Sequence, residues 1–267
     1  MTDAQDALAP FVDRPADAAV VVDFDGTLSP IVTDPAEARP IEGAADALVG
    51  LTARFGLVAV MSGRPVDFLR PLLPDEIVVS GLYGLEVVRG GRRSDHPGAG
   101  AWREAVADVA RCSADRGPAG MVVEPKGLSL TLHYRTHPEV GPAVAEWAEQ
   151  QAARSGLVVR TAKMSIELHP PIAADKGTAL EALVAGLGAV CFVGDDRGDL
   201  PAYDALDRLA TRGVHTLRVA VASAEAPGEL VDRADLVLDG PAAVLAFLRR
   251  LGEPGGSVPS DQPAAAS

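Results

Sequence analysis

Val20-Val21-Val22-Asp23-Phe24-Asp25-Gly26-Thr27-Leu28 is the stretch that decides the fold. Residues 18–22 are an unbroken apolar run, as in a parallel strand covered on both faces, and in such sheets ligands gather beyond the carboxyl ends of the strands. Asp23 and Asp25 fall at that end. Alternation along the strand puts both side chains on one side, where the carboxylates repel unless a cation or a shared proton intervenes. That need points to Mg2+-assisted phosphoryl transfer, in which one aspartate attacks and the other handles a proton. An Asp-Gly turn after a strand is common by itself, so the rest of the chain decides.

Working outward, Ala44, Ala47, Leu48 and Leu51 recur at helical spacing within 42–54, and 57–61 is a short apolar strand. A short helix opening on Pro65 is expected over 65–72, and a third strand over 77–80. The pattern then changes to a hairpin from residue 85 across Gly90-Gly91, a helix over 102–111, strands over 121–124 and 128–135, a helix over 140–153, and strands over 157–161 and 165–168. Consecutive strands with short turns predict an antiparallel sheet with two helices. From Asp175 the alternation of helices (176–185, 200–209, 242–251) and strands (189–193, 214–220, 236–238) resumes. The expected organisation is an α/β, Rossmann-like doubly wound parallel sheet (α/β/α) over 15–84 and 171–251, with an inserted α+β cap domain at 85–170. An N-terminal extension (1–14) precedes it, and a Gly, Pro, Ala and Ser-rich tail (252–267) is expected to be disordered.

The net charge of −13 over 267 residues, with no Lys/Arg stripe to replace phosphate counterions, disfavours a nucleic-acid partner, and none is expected. No apolar run approaches bilayer-spanning length, and the N-terminal residues lack the pattern of a signal peptide, so no membrane partner is expected. Cys112 and Cys191 make no disulfide framework, which fits a reducing cytoplasm. A monomer acting on a small molecule is expected.

Three more clusters lie at strand ends or helix starts of the parallel region. Ser62-Gly63-Arg64 follows the second strand, where a hydroxyl and backbone amides can hold phosphate oxygens. Asp175-Lys176-Gly177 opens a helix; a lysine there opposes the helix dipole and is expected to meet an anion, either Asp23 or a phosphate. Asp195, Asp196 and Asp199 crowd the end of the strand at 189–193, hard oxygen ligands of the kind that suit Mg2+. In the inserted region Leu128, Leu130, Leu132 and Tyr134 alternate with Ser129, Thr131, His133 and Arg135. Glu124 and Lys126 are in phase with each other, and Ser165, Glu167 and His169 form another polar set, so one sheet face is free to cover the site and hydrogen-bond sugar hydroxyls.

In order and setting, Asp23-Phe24-Asp25-Gly26-Thr27-Leu28, Ser62-Gly63-Arg64, Lys176 and Gly194-Asp195-Asp196 resemble the four motifs of the haloacid dehalogenase (HAD) superfamily. Within it, the extended first motif, the segment from Val123 to Arg135, Ile166-Glu167-Leu168 and Gly194-Asp195-Asp196-Arg197 resemble the trehalose-6-phosphate phosphatase family. The resemblance implies a HAD-type fold and a sugar-phosphate substrate. It implies Asp23 as nucleophile, Asp25 as acid and base, and Ser62 and Lys176 on the phosphoryl oxygens. It also implies Mg2+ on Asp23, the carbonyl of Asp25 and Asp195, with Asp196 and Asp199 nearby. Substrate contacts implied by it are Thr27, Gly63, Arg64, Glu124, Lys126, His133, Arg135 and Glu167. Two positions depart from the family pattern: Tyr83 stands where a histidine is usual, and Gly198 where a threonine is common. Other readings on the same residues are a phosphatase for another sugar phosphate or pseudo-disaccharide phosphate, a phosphomutase, and a catalytically silent sugar-phosphate sensor.

Overall fold

The computed structural model describes residues 4–32, 34–162, 164–223 and 226–253. In chain order its elements are α1 (Ala4–Asp13), β1 (Ala18–Asp23), α2 (Ala44–Thr52), β2 (Leu57–Met61), α3 (Val66–Leu69), β3 (Val78–Gly81), β4 (Glu86–Arg89) and β5 (Arg92–Asp95). There follow α4 (Arg103–Arg116), β6 (Val122–Pro125), β7 (Leu130–His133), α5 (Gly141–Ser155), β8 (Val158–Ala162) and β9 (Ser165–His169). The chain closes with α6 (Lys176–Leu183), β10 (Ala189–Gly194), α7 (Leu200–Thr211), β11 (His215–Ala222), α8 (Gly228–Asp232), β12 (Leu236–Asp239) and α9 (Gly240–Gly252).

The larger sheet has eight strands in the order β12-β11-β10-β1-β2-β3-β4-β5. From β12 to β3 the neighbours run parallel, and β4 and β5 add antiparallel pairs. The chain winds out from β1 through β2 and β3 on one side and from β10 through β12 on the other. The crevice of such a sheet opens at that reversal, beyond the carboxyl ends of β1 and β10. Strand alternation sorts β1 between two cores. Ala18, Val20 and Val22 pack with Leu48 and Leu51 of α2 and Val244 and Leu248 of α9. Ala19 and Val21 pack with Leu180 of α6 and Leu206 of α7. Asp23 is in phase with this second set, so its carboxylate points to the side where α6 and α7 begin.

The second sheet, β6-β7-β9-β8, is antiparallel and forms the cap. Leu130, Leu132, Ile166 and Leu168 on one face pack with Val106, Val109 and Ala110 of α4 and Val144 and Ala148 of α5. The hairpin across Gly90-Gly91, expected to open the cap at residue 85, instead extends the large sheet: Ser80 pairs with Val87, and Val88 joins the core of the parallel layer. A two-residue turn between alternating strands specifies that one face is buried, not which layer buries it. Leu128 departs from the expected helix-facing row as well; β7 begins only at Leu130, and Leu128 packs with Leu82, Leu85 and Ala99 in a small cluster at the seam between the two layers.

Part of the expected N-terminal extension is α1, anchored by buried Leu8 and Phe11 and by His215, whose Nε2 donates to the Ala7 carbonyl at 2.7 Å. Of the expected tail, residues 254–267 lie outside the described residues. Among the described residues no helix is long and apolar enough to cross a membrane. Leu132 is fully buried in the cap, so Leu132→Ala is expected to cost about 2–5 kcal/mol, read as a lower urea midpoint for the transition that includes the cap.

Candidate active site

β1 ends on Asp23, which is 4 % exposed, and its Oδ1 accepts from Lys176 Nζ at 2.8 Å. Lys176 also donates to Asp199 Oδ1 at 2.6 Å, so one ammonium bridges two buried carboxylates from different strand ends. The capping box of α6, in which Asp175 accepts from Thr178 N at 2.7 Å, fixes the start of the helix and so the Lys176 stem. Asp199 Oδ2 accepts from the amides of Asp195 and Asp196 at 2.9 and 3.0 Å, which folds the loop after β10 back on itself. Asp195, 1 % exposed, accepts from Thr27 Oγ1 at 3.2 Å. Carboxylate oxygens of Asp23, Asp195 and Asp199 all lie within 4.8 Å of one another. Gly26, at φ +74°, makes room for this: a Cβ there would collide with the Asp195 carboxylate.

Burial pushes the Asp23 carboxyl well above its usual range; Lys176 pulls against that shift, and Asp199, Asp196 and Asp195 add to it. Asp195 is pushed up to about 7, chiefly by burial and then by Asp199 and Asp196, against Lys176 and Thr27. Burial works against the charged form of Lys176, but Asp199 and Asp23 outweigh it and hold the amine well above its usual value. Three buried carboxylates against one ammonium leave an excess of negative charge in low dielectric, a donor set suited to a hard divalent cation.

Asp25 has a different partner. Arg64 grips it as a fork, Nε to Oδ2 and Nη2 to Oδ1 both at 2.8 Å, and also donates to the Pro35 carbonyl at 2.7 Å. The two aspartates of the opening motif therefore do not rely on one shared cation; each carries its own, because the chain leaves the strand at Asp23 and Asp25 belongs to the turn that follows. Ser62, 2 % exposed, accepts from Arg64 N at 3.1 Å and so shapes the turn that aims the guanidinium.

The polar face of the cap looks onto this end of the sheet. A cavity of about 180 Å³ is lined by Pro35, Arg64 and Tyr83 from the parallel layer and by Glu124, Lys126, Thr131, His133, Ser165 and Glu167 from the cap. Glu124 accepts from His133 Nε2 at 2.7 Å, with Lys126 Nζ at 3.9 Å; burial opposes them, yet they hold Glu124 below its usual range. Glu167 accepts from Ser129 Oγ at 2.8 Å and lies 3.5 Å from Arg160. Arg160 stacks its guanidinium 4.5 Å from the ring centre of Tyr83, joining cap to core. Leu82 and Tyr83 both have left-handed backbones, φ 50° and 57°, stabilised by Leu82 N donating to the Arg64 carbonyl at 3.0 Å and Tyr83 N to the Ser62 carbonyl at 3.1 Å.

The structure thus brings together Asp23, Lys176, Asp195, Asp199 and Thr27 in one cluster, and Arg64, Glu124, Lys126, His133 and Glu167 around one cavity. It holds Asp25 on Arg64 between them. Gly63 lies under the Tyr83 hydroxyl. Two nominated residues stand apart. Asp196 is exposed and caps the turn by accepting from Gly198 N at 2.8 Å, outside the carboxylate cluster. Arg135 is in the exposed turn after β7 and does not line the cavity, because the strand expected to reach residue 135 ends at His133. Arg160 was not nominated from sequence; pairing the strands at 157–161 and 165–168 across their short turn sets it opposite Glu167, a charge complement that was there to be found.

An open α/β sheet with an acidic cluster at its switch point and an inserted cap is the architecture of a HAD-like hydrolase. A haloacid dehalogenase-like hydrolase from Bacteroides thetaiotaomicron superposes with a TM-score of 0.61 at 15 % identity, covering 88 % of this chain and 99 % of that one. The C-terminal domain of C. albicans trehalose-6-phosphate phosphatase superposes at 0.73 and 22 % identity, covering 94 % and 96 %. The family model for trehalose-phosphatase matches residues 21–235, and the chain belongs to that family. It is 35 % identical over 249 residues to a trehalose-phosphate phosphatase of Mycobacterium avium (strain 104), covering 88 % of this chain. It is 36 % identical over 203 residues, 70 % of this chain, to an uncharacterized glycosyl hydrolase of Mycobacterium tuberculosis. The chain spans 62 % of the length of the first of these relatives and matches 15 % of the second.

Lys176 is the cation between Asp23 and Asp199, and its loss strands both charges. Lys176→Met is expected to lower stability at neutral pH by about 3–5 kcal/mol, measured by chemical denaturation with no divalent cation present.

Proposed function

We propose that this chain hydrolyses trehalose 6-phosphate to trehalose and phosphate, acting in the cytoplasm as a monomer on a small sugar phosphate. The observation that carries the reading is the placement of Asp23, backed by Lys176, at the end of β1 beneath a cap whose polar face encloses a cavity of about 180 Å³. The acidic surface and two free cysteines support the setting.

Asp23 attacks phosphorus; a bond forms from its carboxylate oxygen, and the bond from phosphorus to the sugar oxygen breaks. Asp25 gives the departing oxygen a proton, then takes one from the water that hydrolyses the aspartyl-phosphate. Both Asp25 oxygens rest on the Arg64 fork, so Asp25 can work only when that guanidinium turns to another anion. The incoming phosphoryl group is that anion; its arrival frees the Asp25 carboxylate, which takes a proton from the phosphate monoester monoanion and passes it to the leaving oxygen. Lys176 and the Ser62 turn bear on the equatorial oxygens, where the charge of the transition state spreads. Asp23, Asp195 and the carbonyl of Asp25 would hold Mg2+, with Asp199 behind them and Asp196 on the outer side of the loop; when bound, the cation would offset the charge of the buried carboxylates and of the phosphoryl oxygens. Glu124, Lys126, His133 and Glu167 face the leaving group and read its hydroxyls.

A second reading rests on Tyr83: with a tyrosine lining the cavity where the family pattern has histidine, another sugar phosphate or a pseudo-disaccharide phosphate could be the preferred substrate. Phosphate release across a panel of sugar phosphates separates the two. Trehalose 6-phosphate is expected to show the highest kcat/KM, and a faster glucose 6-phosphate or sucrose phosphate would replace it. Asp23→Asn is expected to lower turnover by at least about 10³-fold while far-UV circular dichroism stays that of the parent. Chelation is expected to stop phosphate release, and added Mg2+ to restore it; turnover unaffected by chelator would remove the role given to Asp195.

A further inference from the structure

Glu124, Thr131, Glu167 and Arg160 form one row across the four strands of the cap: Glu124 pairs with Thr131, Thr131 with Glu167, and Glu167 with Arg160. Both carboxylates of the row are held by neighbours, Glu124 by His133 and Glu167 by Ser129 and Arg160. Thr131 stands between them, 4 % exposed and lining the cavity, and its Oγ1 has no hydrogen-bond partner. A buried hydroxyl with nothing to bond is a net cost to folding. Valine has the same shape, suits a strand and would remove that cost. Folding therefore gives no reason for this oxygen, whereas a ligand in the cavity does.

The chemistry of the row says which ligand. Ionised Glu124 and Glu167 only accept, and Arg160 only donates; Thr131 alone in the row can do both. A sugar hydroxyl has the same dual character. When it donates to one of the flanking carboxylates it still carries lone pairs, and a second hydroxyl beside that carboxylate can fill one of them.

We propose that Thr131 is a substrate-binding residue whose hydroxyl bonds a hydroxyl of the leaving group between Glu124 and Glu167, setting this site's preference for phosphorylated polyols over other phosphate esters. The inference rests on the phosphatase reading above and assigns it one more specificity determinant.

Steady-state kinetics on the full chain with Mg2+ test it, comparing the sugar phosphate that the wild type hydrolyses best with p-nitrophenyl phosphate, which has no sugar hydroxyl. Thr131→Val is expected to raise KM for the sugar phosphate by about three- to tenfold, the worth of one neutral hydrogen bond. The rise should be absent with p-nitrophenyl phosphate, and the variant should melt at the same or a higher temperature. Thr131→Ser, which keeps the hydroxyl, should restore the sugar-phosphate KM. An unchanged sugar-phosphate KM in Thr131→Val, an equal rise for both substrates, or a fall in melting temperature would each overturn the inference while leaving the phosphatase reading standing. A wild-type chain that releases phosphate from p-nitrophenyl phosphate and from no sugar phosphate overturns both.

Discussion

Lys176 between Asp23 and Asp199 is the contact on which the rest of the carboxyl end of the sheet depends. It joins the first strand of the sheet to the loop after β10 through a single ammonium, at 2.8 and 2.6 Å, in a place almost closed to water. Desolvating so many charges is costly, and the cost is tolerable only because hydrogen bonds satisfy the remaining lone pairs. Asp199 meets that condition by accepting from two backbone amides, and Asp195 by accepting from Thr27. The loop after β10 is thus shaped by the charge it carries, and Asp195 is delivered beside Asp23 as a result.

Much of this was legible in the sequence. The apolar runs at β1, β2 and β10 are long enough and pure enough to fix a parallel layer, and the acids that follow β1 and β10 together mark the end of the sheet where a site gathers. Alternation in β7 correctly separated Leu130 and Leu132 from Thr131 and His133. What escaped was whatever depends on the partner rather than the period. The β4–β5 hairpin joins the large sheet because Val88 finds the parallel core, and nothing local to residues 85–95 distinguishes that core from the one in the cap. Asp196 sits in the same acidic run as Asp195 and Asp199, yet it turns outward to cap Gly198, and composition alone cannot separate a ligand from a cap. Arg135 was placed by extending a strand two residues too far, which in a strand is still the right face but no longer the right place.

Arg64 and Arg160 show two uses of the same side chain. Arg64 is engaged by the fork, two donors on one carboxylate, with its guanidinium 4.5 Å from the ring centre of Phe68. Arg160 is engaged by its flat face on Tyr83, while its edge reaches Glu167 and the Ala174 carbonyl at 3.3 Å, just before the chain returns to the parallel layer. The first arrangement pins one carboxylate of the opening motif; the second ties the cap to the segment that leads back to the parallel layer.

The ring of Tyr83 lies so close over Gly63 that a Cβ at position 63 would come within 2.6 Å of its hydroxyl. Positions 63 and 83 are therefore interlocked, though 20 residues separate them in the chain. An alanine at 63 is admissible only after the residue at 83 has become smaller or has swung away. A smaller side chain at 83 would ease the restriction and at the same time reduce the surface on which Arg160 lies. The two positions are therefore coupled: a side chain at 63 is accommodated only with a smaller side chain or a different rotamer at 83.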